Sequence, residues 1–209
     1  MTPDRHAVTA VVRVVLATRN AGKVVELRRI LSAQAVELVG LDDVTGFEPG
    51  PETGATFADN ALAKAKEACL ATGLPAIADD SGLRVDALNG MPGVLSARWA
   101  GRHGDDQANL ELLLAQLVDV PVARRGAGFV CAAAFWLPDG RSEVLEGQLR
   151  GAIGQAPRGS GGFGYDPVLV PEGSDRTTAE LTAAEKDAIS HRGQAFRALA
   201  PLLAAALVG

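Results

Sequence analysis

The stretch Ala76-Ile77-Ala78-Asp79-Asp80-Ser81-Gly82 brings two adjacent carboxylates and a hydroxyl to the end of a short apolar run. We interpret Pro75 to Ala78 as a buried strand, because ligands of α/β sheets bind at the carboxyl ends of strands. Successive side chains of an extended chain point to opposite faces, so Asp79 and Asp80 are predicted to do different jobs. One binds a cation or activates water, and the other holds the glycine turn that follows. A plain surface turn of four good turn formers is the alternative.

The composition indicates an α/β protein that binds a small molecule. The chain has 209 residues, enough for one domain with a sizeable core. It is 47% hydrophobic but only 4% aromatic and contains 24 glycines, which favours close packing of helices on a sheet. We expect residues 11–209 to form a single domain after a flexible extension at residues 1–10. A net charge of -5 argues against a duplex nucleic-acid binder, which needs a basic face.

Cysteine usage and hydropathy indicate the compartment. Cys69 and Cys131 are the only cysteines and lie far apart, which indicates neither a metal knuckle nor a disulfide framework. No run approaches the roughly 20 apolar residues of a membrane span, and residues 1–10 are too polar for a secretory signal. We therefore expect a cytoplasmic protein with no membrane partner.

The segments before the aspartate pair alternate between strand and helix patterns. Val11 to Ala17 predicts a strand, and the apolar spacing from Val24 to Leu31 predicts a helix after it. Gln34 to Leu41 is interpreted as a second strand. Thr56 to Thr72 predicts a long helix, since Gly73 supplies its end signal.

The segments after the pair add antiparallel strands. Phe129 to Leu137 and Ser142 to Leu149 flank Pro138-Asp139-Gly140-Arg141, a strong hairpin signal that makes the sheet mixed. The glycine-rich stretch 151–165 then leads into an apolar strand, Val168 to Val170. We expect its glycines to let the backbone approach a ligand closely, although a solvent-exposed linker explains them equally well.

Three other segments carry polar side chains that suit a ligand site. The loop from Thr18 to Lys23 precedes a helix, whose unpaired N–H groups and partial positive charge can hold a phosphate. An ordinary Asn-capped helix start is the alternative, because the loop lacks Walker A or GxGxxG spacing. Lys64 lies on the long helix. Lys186, His191 and Arg192 lie around a break between two helices, and solvated surface charge is the alternative for them and for Lys64.

Six motifs follow one another in a defined order: Ala17-Thr18-Arg19-Asn20-Ala21-Gly22-Lys23 with Glu26; Glu52-Thr53-Gly54-Ala55-Thr56-Phe57 with Asn60-Ala61 and Lys64-Ala65; Ala78-Asp79-Asp80-Ser81-Gly82-Leu83; Pro92-Gly93 to Ser96-Ala97-Arg98; Gly162-Phe163-Gly164-Tyr165-Asp166-Pro167; and Glu180-Leu181 to Glu185-Lys186 and Ser190-His191-Arg192. Together they resemble the inosine triphosphate pyrophosphatase family, also called dITP/XTP pyrophosphatases, over about Val14 to Leu199.

The resemblance implies a fold and a reaction. The fold is an elongated mixed β-sheet flanked by helices, with two lobes, a nucleotide cleft between them, and a homodimer. The reaction is Mg²⁺-dependent hydrolysis of non-standard purine nucleotides (ITP, dITP and XTP) at the α-phosphorus. It yields a monophosphate and pyrophosphate and keeps these nucleotides out of DNA and RNA.

The resemblance also implies roles by position. Asp80 would be the general base and, with Glu52, a Mg²⁺ ligand, while a share of Asp79 in the metal stays open. The substrate would be contacted by Thr18, Arg19, Asn20, Ala21, Gly22, Lys23, Lys64, Ser81, Phe163, Gly164, Tyr165, Asp166, Lys186, His191 and Arg192. The loop from Thr18 to Lys23 would hold phosphates, and the residues from Phe163 onward would hold the nucleoside.

Two other function classes fit parts of the sequence. A signalling receiver also has an acidic pair after a strand, but after its first strand, whereas here the pair follows the second long helix. A nucleotide-binding regulator would keep the pocket without the chemistry. The presence of Glu52, Lys64 and Asp80 argues against a regulator, and an assay of pyrophosphate release distinguishes a regulator from an enzyme.

Overall fold

The computed structural model describes residues 12–32, 36–44, 47–48 and 50–208. The predicted flexible extension at residues 1–10 lies outside the described residues. So do Val11 and Gln34, the predicted first residues of two strands.

A mixed sheet forms the centre of the described chain. Its strands are β1 (Val12–Leu16), β2 (Val36–Gly40), β3 (Ala76–Val85), β4 (Gly126–Trp136), β5 (Ser142–Ile153) and β6 (Leu169–Pro171). They lie in the order β2-β1-β3-β4-β5-β6. β1 runs parallel to β2 and β3, and the pairs from β3 to β6 are antiparallel. The predicted mixed sheet and the hairpin between β4 and β5 are confirmed.

Helices flank this sheet. They are α1 (Ala21–Ile30), α2 (Phe57–Thr72), α3 (Asp106–Gln116), α4 (Ala183–Ile189) and α5 (His191–Val208). Local signals set their ends: the Thr56 side chain caps α2, which ends at Gly73 with φ +68°. Thr182 and Glu185 form a capping box at α4, in which their side chains accept hydrogen bonds from N–H groups at the start of that helix. None of the described helices combines the length and the apolar character needed to cross a lipid bilayer.

The two faces of the sheet pack against different helices. Val14, Leu16 and Ile77 belong to one core cluster with residues of α1 and α5. Val15 and Ala78 belong to another with residues of α2. Because side chains alternate along a strand, Asp79 follows Ile77 toward α1 and α5, and Asp80 follows Ala78 toward α2. This confirms the prediction that the two carboxylates serve different faces.

The predicted glycine turn after the aspartates is wrong. β3 continues through Asp79, Asp80, Ser81 and Gly82 to Val85, and every one of its residues pairs with β4. The turn-forming residues stay extended because this ladder satisfies their backbone groups. Gly82 serves close packing instead of a turn, since a Cβ there would lie 2.6 Å from the carbonyl oxygen of Gly93 and collide with the Ser96 hydroxyl.

Candidate active site

A cavity of about 690 Å³ lies where the middle of β3 meets the start of α1. Segments 50–52, 94–98 and 163–166 form its other walls. The predicted site residues that line it are Thr18, Arg19, Asn20, Lys23, Glu52, Lys64, Asp80, Ser81, Phe163, Gly164, Tyr165, Asp166, Lys186, His191 and Arg192.

Two predicted contact residues, Ala21 and Gly22, are not among the residues that line the cavity. They form the first turn of α1, which Asn20 caps by accepting the backbone N–H of Lys23 at 3.1 Å. A Cβ on Gly22 would come within 2.8 Å of the Phe163 ring. The glycine therefore lets α1 approach this aromatic ring closely.

Asp80 points into the cavity on the α2 side of β3. Its Oδ2 accepts a hydrogen bond from Asn60 Nδ2 at 2.8 Å, and its Oδ1 accepts the Ser81 N–H at 3.0 Å. Burial raises the pKa of Asp80, and this effect outweighs the opposing influence of Lys64 and Lys23. A carboxylate with a raised pKa is a better proton acceptor near neutral pH.

Lys64 joins Asp80 to a second carboxylate, Glu52. Its Nζ lies 2.7 Å from Glu52 Oε1 and 3.7 Å from Asp80 Oδ1. Burial acts to raise the pKa of Glu52, but its cationic neighbours, Lys64 first, outweigh burial and lower that pKa. Glu52 is therefore an ionised carboxylate on the wall of the cavity.

The two carboxylates suit a hard divalent cation that also binds substrate. Mg²⁺ usually takes one or two protein carboxylates and completes its shell with phosphate oxygens and water. Glu52 and Asp80 supply that number of oxygen ligands. Within the described ranges, no cluster of three or more His, Cys, Asp or Glu side chains is placed to hold a metal by itself.

Asp79 is fully buried on the opposite face of β3 and is not among the residues that line the cavity. Its Oδ2 lies 2.9 Å from Lys23 Nζ and 3.3 Å from Arg192 Nε. Burial acts to raise the pKa of Asp79, but Lys23 and Arg192 outweigh it and hold that pKa well below its ordinary value. Asp79 therefore lies behind the cavity wall and fixes the positions of Lys23 and Arg192, which line the cavity.

A buried ion network continues from Asp79 toward α4 and α5. Arg192 pairs with Glu26, and its Nη2 donates to Ser81 Oγ at 2.8 Å. Lys186 Nζ lies 2.8 Å from Glu26 Oε1 and 2.6 Å from Asp166 Oδ2. The network balances three cations with three carboxylates, so most of its charge is neutralised before any ligand binds. Its members are Lys23, Lys186, Arg192, Glu26, Asp79 and Asp166.

The Phe163 ring forms the apolar wall of the cavity. Lys186 Nζ lies 5.2 Å from the ring centroid, within the range of a cation–π contact. The N–H groups of Phe163 and Gly164 donate to Asp166 Oδ2 and Asp106 Oδ2, each at 2.8 Å. Two carboxylates from different elements therefore fix the backbone that carries the ring.

His191 lies in the same wall and stacks on Phe129 with ring centroids 4.9 Å apart. Burial, together with Arg192 and Lys186, holds its pKa well below the ordinary value, so the imidazole is neutral at neutral pH. A neutral imidazole offers one N–H donor and one acceptor. Such a pair suits recognition of a polar heterocycle.

Among the lining residues with ionisable side chains, three were not predicted as site residues: Arg98, His103 and Asp106. Arg98 ends one of the six motifs, so the sequence contained a signal for it. No signal linked Asp106 to the site, because it meets Gly164 across 58 positions of sequence.

Comparisons with known proteins show the family of this chain. Residues 14–202 match the model of the Ham1 family. A dITP/XTP pyrophosphatase of Streptomyces coelicolor is 63% identical over 193 residues, which cover 91% of this chain and 96% of the relative. A dITP/XTP pyrophosphatase of Nocardia farcinica is 62% identical over 92% of this chain and 95% of its own.

Solved structures show the same fold. The nucleoside-triphosphatase / dITP/XTP pyrophosphatase of Mycobacterium abscessus is 59% identical, with a TM-score of 0.75, and the match covers 90% of this chain and 99% of that one. A HAM1 protein of Coxiella burnetii is 38% identical, with a TM-score of 0.83 over 92% and 98% of the two chains.

Proposed function

The chain belongs to the Ham1 family, and from that premise we propose that it is a dITP/XTP pyrophosphatase. The predicted family is thereby confirmed. The enzyme hydrolyses non-standard purine nucleoside triphosphates to monophosphate and pyrophosphate. One observation of the structure carries the proposal: Asp80, a carboxylate of raised pKa, stands in a cavity beside the Lys64–Glu52 pair.

Asp80 acts as the general base. Its carboxylate takes a proton from a water molecule, which attacks the α-phosphorus and breaks the bond to the bridging oxygen of the departing pyrophosphate. Asn60 and the Ser81 N–H hold this carboxylate from two sides, so that its orientation is fixed before substrate arrives. A positioned base of this kind contributes about 10²–10⁴-fold to a rate.

Glu52 and Asp80 would hold Mg²⁺, which would offset phosphate charge and polarise a phosphoryl oxygen. The chain also meets the charge of the substrate with its own side chains. Six Lys or Arg residues and four Asp or Glu residues line the cavity, so positive charge is in excess there although the whole protein is acidic.

Replacing Lys64 tests the phosphate end of the site. Lys64→Met keeps most of the side-chain length and removes the ammonium, so kcat/KM should fall about 10²–10³-fold, as when one oxyanion donor is removed. Lys66→Met is the matched control, since Lys66 lies on the same helix but is exposed and rests over the Trp136 ring. Pyrophosphate release with ITP measures both. Equal values for the two variants would show that Lys64 is an ordinary solvated lysine.

The identity of the purine base of the substrate tests the nucleoside end of the site. Inosine and xanthosine carry an oxygen at purine position 6, where adenosine carries an amino group. Lys186, His191 and Arg192 supply donors for that oxygen, whereas the N–H groups of Phe163 and Gly164, which the sequence also offered, already donate to Asp166 and Asp106. An amino group in its place leaves a buried donor unpaired, at about 1–3 kcal/mol or roughly 5–150-fold in kcat/KM.

We expect activity to fall in the order ITP or XTP, then GTP, then ATP, because GTP keeps the 6-oxygen and differs from ITP only by its 2-amino group. The measurement is kcat/KM for pyrophosphate release over these four nucleotides. Each is assayed with Mg²⁺ and with a chelator, which should abolish turnover. Equal kcat/KM for ATP and ITP would sink the assignment of the base-reading residues, even with hydrolysis intact.

Assembly and location belong to the same proposal. The resemblance supports a cytoplasmic homodimer in which residues 11–209 form one domain of two lobes, with the nucleotide between them. Light scattering during size-exclusion chromatography would determine the mass of the particle. A monomer at working concentration would refute the dimer without touching the catalytic assignment.

A further inference from the structure

Arg98 is a cavity-lining cation that the proposed mechanism does not use. It ends a short 3₁₀ helix, Gly93–Arg98, and its side chain is 32% exposed. Among the residues that the structure describes, its guanidinium reaches only Glu52: Nη1 lies 3.7 Å from Glu52 Oε2, and Nη2 lies 3.4 Å from the Glu52 carbonyl oxygen. Both contacts are longer than a normal N–H···O hydrogen bond.

The neighbouring cations of the cavity are bound more tightly. Lys23 lies 2.9 Å from Asp79, Lys64 lies 2.7 Å from Glu52, and Lys186 lies 2.6 Å from Asp166. A guanidinium carries five N–H donors in a planar fork. Arg98 therefore keeps most of its hydrogen-bonding capacity for a molecule that enters the cavity.

The position of Arg98 identifies which part of a nucleotide it meets. Ion pairs connect it through Glu52 and Lys64 to Asp80, which acts at the α-phosphorus in the proposed function. The aromatic wall at Phe163 belongs to a different set of contacts, with Lys186 and Arg192. Arg98 thus lies at the phosphate end of the cavity.

The backbone that carries Arg98 is held firmly. The Ser96 hydroxyl accepts the Leu83 N–H of β3 at 2.9 Å, and the Ser96 carbonyl accepts the Tyr165 hydroxyl at 2.9 Å. The N–H donors of Arg98 are therefore carried by a fixed backbone, which reduces the entropy lost when a ligand binds. Arginine at such a site suits phosphate, because its fork can bind two phosphate oxygens at once.

We propose that Arg98 is a further catalytic residue, which binds the β- and γ-phosphates of the substrate, the part that leaves as pyrophosphate. The inference rests on the proposed function and adds a contact to its phosphate end. An alternative role, in which Arg98 only orients Glu52, predicts a different set of measurements.

The test compares Arg98→Gln, Arg98→Lys and the matched control Arg102→Gln, an exposed arginine on the next loop. Inhibition constants for pyrophosphate and for inosine monophosphate are measured at saturating Mg²⁺, the Mg²⁺ dependence of turnover is measured separately, and the melting temperature checks folding. We expect Arg98→Gln to raise the inhibition constant for pyrophosphate about tenfold to hundredfold, because a charge-assisted hydrogen bond is lost. Arg98→Lys should recover part of this, since lysine keeps the charge but not the fork. Inosine monophosphate should bind all variants alike.

Two results would overturn the inference. Unchanged pyrophosphate inhibition with a raised Mg²⁺ requirement would mean that Arg98 only orients Glu52. Equal weakening of pyrophosphate and inosine monophosphate would mean that the whole cavity is disturbed. The proposed function fails in another way, namely if the wild-type protein releases pyrophosphate from none of the nucleotides.

Discussion

Asp80→Asn is expected to lower kcat by about 10²–10⁴-fold while the protein stays folded. The amide has nearly the shape of the carboxylate but lacks its charge and its basicity. Burial raises the pKa of Asp80, which means that the folded protein disfavours the charged form. The neutral side chain removes that penalty at pH 7, so the melting temperature should not fall.

Asp79→Asn is the matched control, because it makes the same chemical change one residue away on the other face of β3. It leaves Lys23 and Arg192 facing a neutral amide, and breaking a buried pair costs about 3–5 kcal/mol of stability. Single-turnover kinetics and urea denaturation on both variants separate the two roles. Should Asp80→Asn keep more than a tenth of wild-type turnover, Asp80 would not be the base.

Arg192→Met is expected to lower the free energy of unfolding by about 3–5 kcal/mol, because it leaves two buried carboxylates without their shared cation. Arg192 is 1% exposed and pairs with both Glu26 and Asp79. From the sequence, this arginine is predicted to contact the nucleoside of the substrate. The structure adds a large effect on stability.

The pH dependence gives that prediction a sign. Asp79 has a folded-state pKa well below its ordinary value of 3.8, so its ion pairs contribute stability above that pH and lose it as the pH falls further. The deficit of Arg192→Met should therefore be largest at neutral pH and should narrow in acid. Urea denaturation at several pH values measures it.

Arg176→Met serves as the comparison, since it removes an exposed arginine that pairs with Glu185 at 2.9 Å. Surface pairs contribute about 0–1 kcal/mol, so its effect should be small. A wild-type free energy of unfolding in Arg192→Met would show that the buried network does not stabilise the fold.

Elements set by local chemistry could be predicted from the sequence. The capping box at Thr182, the Asn20 cap of α1 and the turn at Asp139-Gly140 each depend on residues within a few positions of one another. The extent of β3 could not be predicted in this way. Its middle consists of turn formers, and only the ladder with β4 and the close approach of Ser96 keep them extended.

The same distinction between local and long-range determinants applies to the site. Which side chains line the cavity followed from ordered motifs, but how the charges pair did not. Glu26 meets Lys186 across 160 positions and Asp79 meets Arg192 across 113, so these partners are neighbours only in the folded protein. Their pairing is why residues predicted to contact substrate also hold the core together.

Because Asp79 and Asp80 alternate between the two faces of one strand, this segment of the chain does not tolerate changes in length. Deleting or inserting one residue within β3 would move each side chain beyond that point to the other face of the sheet. The base would then enter the buried ion network, and the buried anion would enter the cavity. The turn between β4 and β5, which is exposed at residues 138–141 and does not line the cavity, has no such constraint. Library designs that vary loop length should place their insertions there and keep β3 at constant length.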